Sequence, residues 1–137
     1  MAQSSGSPAF FDKTYNEALA LTEQAYVYLS EIRQNSISAE SPTDELRLRC
    51  EAFRLTTRLM QVISWLLIQR AIHAGELSAA EVAEGAQYRL GATRVCLDDD
   101  QHRHRAIPAP MSDMLDRSLN LYIRVERLDG LVHHSIH

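Results

Sequence analysis

Mostly apolar residues recur every three or four positions through the first part of the chain, between Phe11 and Ile32. The stripe consists of Phe11, Tyr15, Ala18, Thr22, Ala25, Leu29 and Ile32. This spacing is typical of one face of a helix that packs on its neighbours along its whole length. We therefore predict a first helix from about Phe10 to Gln34, preceded by a polar, Ser-rich start at residues 1–9 that is expected to be disordered.

A second and longer helix is predicted from about Pro42 to Ala74. Ser41 can cap its start, Pro42 suits the first turn, and Gly75 suits its end. Two mostly apolar stripes run along this helix. The first contains Leu46, Cys50, Phe53, Thr57, Met60, Ser64, Leu67, Ala71 and Ala74, and the second contains Leu48, Ala52, Leu55, Leu59, Val62 and Leu66. A helix with two such faces is expected to contact two neighbours, as in a bundle.

A third face of the second helix changes character halfway along. We name its first half the arginine ridge (Arg47, Arg54, Arg58) and its second half the tryptophan patch (Trp65, Ile68, Ile72). We predict the arginine ridge as a partner-binding surface, because Arg and Trp dominate the energetics of protein interfaces. Intrahelical ion pairs with Glu51 are the alternative. The tryptophan patch must be covered, either by cross-helix packing within the chain or by a second copy in a dimer.

The remaining sequence predicts two further helices. The third runs from about 79 to 97 and begins with a capping box, but it contains Gly85 and Gly91, and glycine weakens a helix interior. A charged loop follows. The last helix runs from Ser112 or Asp113 to about Leu128 and is expected to end at Asp129 and Gly130.

These elements predict an all-α protein. We expect an antiparallel three-helix bundle with an additional shorter C-terminal helix, in a single domain spanning residues 10–130. Residues 131–137 are predicted to form a flexible tail.

Composition and charge narrow the class of protein. The chain has 137 residues and a net charge of −4, whereas proteins that bind nucleic acid or anionic membranes typically carry a basic surface. The charge therefore argues against both partners and against a transcription-associated regulator. The apolar run at 62–68 is too short to cross a bilayer, which needs ~20 residues. Since no secretion signal is recognisable at the N-terminus, we predict a cytoplasmic protein.

Candidate chemistry is sparse. Bundles that bind metals use inward Glu and Glu-x-x-His pairs, and no Glu here has a His three positions later. His102 and His104 lie in a charged loop, but their pattern defines no coordination geometry. Cys50 and Cys96 are expected to be reduced thiols. We therefore predict no catalytic, cofactor-binding or metal-binding residues and no enzymatic activity. A small-ligand- or metal-binding helical bundle stays open as the alternative.

Two segments carry a family resemblance. They are Phe11–Leu19, FDKTYNEAL, and Arg54–Ala71, RLTTRLMQVISWLLIQRA, the latter followed shortly by Gly75-Glu76-Leu77. The chain resembles the bacterial family of the regulator of CtrA degradation, RcdA, over roughly residues 10–97. The second segment is long and unusual in composition, which makes the resemblance fairly specific.

The resemblance implies a small, non-enzymatic helical bundle that forms homodimers. It implies an adaptor that helps to present cell-cycle regulators to the ClpXP protease, together with other adaptor proteins. Expected partners are thus protease adaptors and substrates. The family often carries a longer C-terminal tail, whereas this sequence stops seven residues after Gly130.

Overall fold

The computed structural model describes residues 8–35, 41–85, 88–98 and 107–136, and within these ranges the regular structure is entirely helical. The helices are α1 (Pro8–Asn35), α2 (Pro42–His73), α3 (Ala79–Glu84), α4 (Thr93–Cys96) and α5 (Ala109–Ile136). The predicted all-α class is confirmed. The predicted disorder at residues 1–9 falls mainly outside the described ranges, and α1 already begins at Pro8.

The start and the end of α2 follow the signals in the sequence. The Ser41 hydroxyl accepts a hydrogen bond from the backbone N–H of Asp44 at 3.1 Å, which satisfies one of the free donors of the first turn. Past the last turn, Gly75 has φ +80°, a left-handed conformation that glycine adopts without strain. The predicted bounds of this helix are therefore confirmed to within one residue.

The three long helices do not all alternate in direction. Asp12 pairs with Arg70 at one end of the α1–α2 pair, whereas Arg33 and Ala52 face the same groove at the other end, so these helices are antiparallel. Along α2 and α5, contacts run from Arg58 with Ser118 to Trp65 with Asp129, so these two helices are parallel. A long crossover that includes α3 and α4 connects them. The expectation of a simple antiparallel bundle is corrected accordingly.

The predicted third helix at 79–97 is broken into two short helices. α3 has six residues and ends at Gly85, and α4 has four and follows Ala92, whose φ is +56°. Between them, the backbone of Gly91 makes two hydrogen bonds to side chains. Its N–H donates to Gln61 Oε1 at 2.8 Å, and its carbonyl accepts from the Tyr122 hydroxyl at 2.6 Å. Helical hydrogen bonding would compete with both contacts.

The C-terminal helix is longer than predicted. α5 has 28 residues, the same number as α1, and it continues through Gly130 to Ile136. The predicted end at Asp129–Gly130 is therefore wrong, and residues 131–136 belong to the helix rather than to a tail. Glycine costs a helix interior ~1 kcal/mol, and the contacts of Asp129 with Trp65, which is buried, and with Arg89, which is part-buried, hold this turn in place.

The core lies where α1, α2 and α5 meet. The second stripe of α2 supplies its centre: Leu55, Val62 and Leu66 are fully buried. From α5 come mainly Met111, Met114, Leu115, Leu121, Tyr122 and Val125. From α1 come Phe11, Ala18, Leu21 and Ala25. The first stripe of α2, by contrast, does not enter the core.

Candidate interaction surfaces

Arg58, predicted to face a partner, lies inside the bundle with 2% of its surface exposed. Its Nε donates to the carbonyl of Cys96 at 2.7 Å. Its two terminal nitrogens donate to the carbonyls of Leu115 at 2.9 Å and of Asp98 at 3.1 Å. The planar, five-donor guanidinium suits such a cluster of acceptors. Arg58 therefore ties α2 to α5 and to the segment around α4.

The other two members of the arginine ridge divide between inside and outside. Arg54 is nearly buried, pairs with the buried carboxylate of Glu51, and donates to the carbonyl of Val95 at 3.0 Å. The alternative of an intrahelical pair is thus the arrangement that the structure has. Arg47 is exposed. The prediction of one continuous arginine surface is corrected, because two of its three guanidinium groups are occupied by contacts within the chain.

Trp65 is covered by helices of its own chain. It is 2% exposed, and its ring meets Phe11 of α1 edge-on at a centroid distance of 5.8 Å. Its Nε1 donates to Asp129 Oδ1 at 2.8 Å, and the other carboxylate oxygen of Asp129 accepts from Arg89 Nε at 2.9 Å. Of the two predicted roles, the structure therefore gives Trp65 the cross-helix one.

The other residues of the tryptophan patch, Ile68 and Ile72, are half-buried. Of the patch, Trp65 therefore belongs to the buried core cluster, whereas Ile68 and Ile72 do not. The large apolar side chains that are exposed lie elsewhere on the molecule.

Within the part of the chain that the structure describes, the first stripe of α2 faces outward. We name its four large side chains the outer stripe: Leu46, Phe53, Met60 and Leu67, which are 62%, 69%, 63% and 45% exposed. They lie at intervals of seven residues, the repeat with which a helix presents one side to another long helix. Large apolar side chains aligned in this way on a solvent-facing helix mark a contact surface.

A groove adjoins the outer stripe on the side of α1. It encloses about 590 Å³ and is lined mainly by apolar and small side chains: Thr22, Ala25, Tyr26, Leu29, Ser30 and Arg33 of α1, and Ala52, Thr56, Leu59, Met60, Ile63 and Ser64 of α2. Two of the lining residues, Tyr26 of α1 and Met60 of α2, are 72% and 63% exposed. α5 packs on the opposite side of the same helix pair, through contacts such as Arg117–Gln24 and Arg124–Glu17.

The titratable groups of the interior are not arranged for nucleophilic chemistry. Burial raises the pKa of the Cys96 thiol, and the nearby Arg58 guanidinium opposes this shift only in part. Burial also raises the pKa of Tyr122. Since the thiolate is the reactive form of cysteine, the surroundings of Cys96 do not favour a nucleophile. Cys50, the other cysteine, is exposed on α2.

The described part of the chain contains no group of three or more His, Cys, Asp or Glu side chains placed to hold a metal ion. The pair His102 and His104 lies outside the described residues. Among the helices described, none is both long and apolar enough to traverse a membrane.

Two features were missed from the sequence: the exposure of the outer stripe and the groove beside it. The signal for the outer stripe was present, since its heptad spacing can be seen in the sequence. What spacing does not indicate is which of three patterned faces points outward. No pattern in the sequence predicts the groove, because its position depends on which side of the α1–α2 pair α5 packs against.

Comparisons with known proteins agree with this architecture. A family model described as "Protein of unknown function (DUF1465)" matches residues 2–137. The crystal structure of RcdA from Caulobacter crescentus CB15 is similar with a TM-score of 0.72 and 31% sequence identity, over 96% of this chain and 97% of that chain. The comparison with curated proteins gave no match.

Proposed function

This chain belongs to the RcdA family, and we propose that it is a non-enzymatic adaptor that presents cell-cycle regulators to the ClpXP protease. It also belongs to the family described as a protein of unknown function (DUF1465). The observation that carries the proposal is the similarity to RcdA over 96% of the chain at 31% identity. The exposed outer stripe supports it, since an adaptor acts by binding other proteins.

The proposal is tested by reconstituted degradation. Purified ClpXP, ATP and a cell-cycle regulator from the native host are mixed with and without the chain, and the loss of the regulator is followed over time. We expect the chain to accelerate degradation at concentrations well below that of the substrate, without being consumed. The proposal would be contradicted if the chain left the degradation rate of every host regulator unchanged, both with and without the host's other adaptors.

We further propose that the adaptor is a homodimer formed through the outer stripe of α2. The tryptophan patch is not suited to this role, because Trp65 is enclosed by its own chain. An antiparallel pairing of two α2 helices would bring the acidic first turn of one, with Asp44 and Glu45, near the basic last turn of the other, with Arg70 and His73. Such complementarity favours this direction of pairing.

The dimer is tested by light scattering after size exclusion. The wild-type chain is expected at twice its mass of 15.5 kDa, and Phe53→Glu is expected at the mass of a single chain. Val27→Glu is a matched control, because Val27 is also exposed, at 54%, but lies on α1 away from the outer stripe. A dimer that persists in Phe53→Glu would place the interface elsewhere.

A further inference from the structure

The α1–α2 pair offers two sides to a third helix, and one of them is already occupied. On one side α5 packs along both helices, with Arg117 reaching Gln24 of α1 and Arg58 of α2 reaching Leu115. On the other side the groove between α1 and α2 lies open. Two of its lining residues, Tyr26 and Met60, are exposed large side chains, so this side has the form of a helix-binding surface without its helix.

The lining of the groove suits apolar side chains. Its apolar lining includes Ala25, Leu29, Ala52, Leu59 and Ile63. Two of the hydroxyl groups in the lining are already satisfied: Thr22 Oγ1 donates to the carbonyl of Ala18 at 2.8 Å, and Thr56 Oγ1 donates to the carbonyl of Ala52 at 2.9 Å. These hydroxyl groups therefore require no polar group from an occupant.

The length of the groove indicates a helix rather than a compact ligand. Its lining on α1 extends from Thr22 to Arg33, eleven positions, which is about three helical turns. A helix of that length presents apolar anchors at i, i+4, i+7 and i+11, the pattern by which amphipathic helices bind in grooves. Three turns also match the stretch from Ala52 to Ser64 on the α2 side.

The charge of the groove lies at one end. Among the described residues, Arg33 is the single charged member of the lining, and none of them contributes an acidic side chain to it. Arg33 is exposed, and within the part of the chain that the structure describes no carboxylate is paired with it. An occupant with carboxylates beside this end would gain a complementary contact, whereas a basic occupant would meet repulsion.

From these observations we infer that the groove between α1 and α2 binds an amphipathic helix of a partner protein, about three turns long, with acidic residues in the turn next to Arg33. The inference deepens the proposed adaptor function, on which it rests, by naming the kind of segment that the adaptor takes. Because Met60 belongs both to the groove and to the outer stripe, variants that separate the two surfaces must avoid it.

The test uses the full chain and two designed 18-residue peptides labelled with fluorescein. Both carry Leu at the four anchor positions. On the polar face, the acidic peptide carries Glu and the basic peptide carries Lys at every position next to an anchor. Binding is followed by fluorescence anisotropy as a function of protein concentration, at low and at physiological salt. No protease is present, so the outcome is independent of whether the chain stimulates ClpXP.

Two matched pairs of variants locate the binding. Thr56→Trp fills the groove, and Val27→Trp places the same side chain at an exposed site on α1 that belongs neither to the lining nor to the outer stripe. Arg33→Glu reverses the charge at the groove, and Arg127→Glu makes the same change at an exposed site on α5. Circular dichroism checks that each variant keeps the helicity of the wild type.

We expect the acidic peptide to bind about two- to five-fold more tightly than the basic one at low salt, as for an exposed ion pair, with a smaller ratio at higher salt. Thr56→Trp should weaken binding at least ten-fold, and Arg33→Glu should reverse the preference, while both controls behave as wild type. Binding that tolerates Thr56→Trp would overturn the inference. Failure of the wild-type chain to bind either peptide would also overturn it. If Thr56→Trp instead converts a dimer to a monomer, the occupant of the groove is a second copy of the chain, which overturns the inference as well.

Discussion

Arg58→Met is expected to destabilise the protein strongly, although the residue was predicted to lie on the surface. In the structure its guanidinium donates to the carbonyls of Cys96, Asp98 and Leu115. The carbonyl of Leu115 also accepts from the Ser118 hydroxyl at 2.9 Å, so it keeps a partner in the variant. The carbonyls of Cys96 and Asp98 lie at the end of α4 and just beyond it, and each loses its bond to the guanidinium; the bond to Cys96 is buried and the bond to Asp98 is part-buried.

The magnitude follows from these two carbonyls. A buried acceptor left without its donor, as at Cys96, costs about 1–3 kcal/mol, and a hydrogen bond to a charged group, as at Asp98, is worth about 1.5–3 kcal/mol, so the two together cost about 2.5–6 kcal/mol. Methionine also removes the desolvation penalty of the buried charge, which moves the expected loss to about 3 kcal/mol. That is a large part of the ~5–15 kcal/mol by which a domain is stable.

Urea unfolding followed by circular dichroism at 222 nm measures this loss. With a slope of about 1–3 kcal/mol per molar urea, the midpoint of Arg58→Met should fall by about 1–3 M. Arg47→Met is the control, because Arg47 is an exposed arginine of the same helix and surface substitutions usually change stability by less than ~0.5 kcal/mol. Equal midpoints for the two variants would refute the buried role of Arg58.

Three further predictions concern the interior. At pH 8, Cys50 should react quickly with a thiol reagent while Cys96, whose pKa burial raises, reacts only on unfolding; labelling of both at one rate would be contrary. Burial raises the pKa of Tyr122 above its unfolded value of ~10. The stability that this pKa shift contributes is therefore complete below pH 10 and is lost as the pH rises toward the folded pKa. Tyr122→Phe should flatten the decline of the unfolding midpoint above pH 10, and an unchanged slope would argue against this role of Tyr122. Asp129→Ala should lower the free energy of unfolding by about 2–3 kcal/mol, because it removes the acceptor of the buried Trp65 Nε1, with a shift in tryptophan fluorescence; a wild-type spectrum and midpoint would contradict this.

The long helices could be predicted from the sequence because their signals are local. Ser41, Pro42 and Gly75 set the ends of α2 through backbone conformation and capping, which depend on neighbouring residues alone. The end of α5 was mispredicted for the complementary reason. Asp129 and Gly130 form a usual stop signal, and it is overridden by the contact of Asp129 with Trp65, a residue 64 positions away.

The outward face of α2 could not be predicted in the same way. Arg58 and Glu51 look like surface residues in the sequence, yet both are buried. The segment around α4 and helix α5 bring hydrogen-bond acceptors to Arg58, and Glu51 pairs with Arg54 of its own helix. Phe53 looks like a core residue and is 69% exposed. Periodicity identifies the faces of a helix, but tertiary contacts decide which face is buried.

We propose that the chain binds other proteins through the apolar surface of α1 and α2 rather than through exposed arginines. Reconstituted ClpXP degradation with Phe53→Glu and Arg47→Glu tests it most directly. We predict that both variants keep wild-type helicity, that Phe53→Glu loses the stimulation of degradation, and that Arg47→Glu retains it. Full stimulation by Phe53→Glu, together with its loss in Arg47→Glu, would contradict the account.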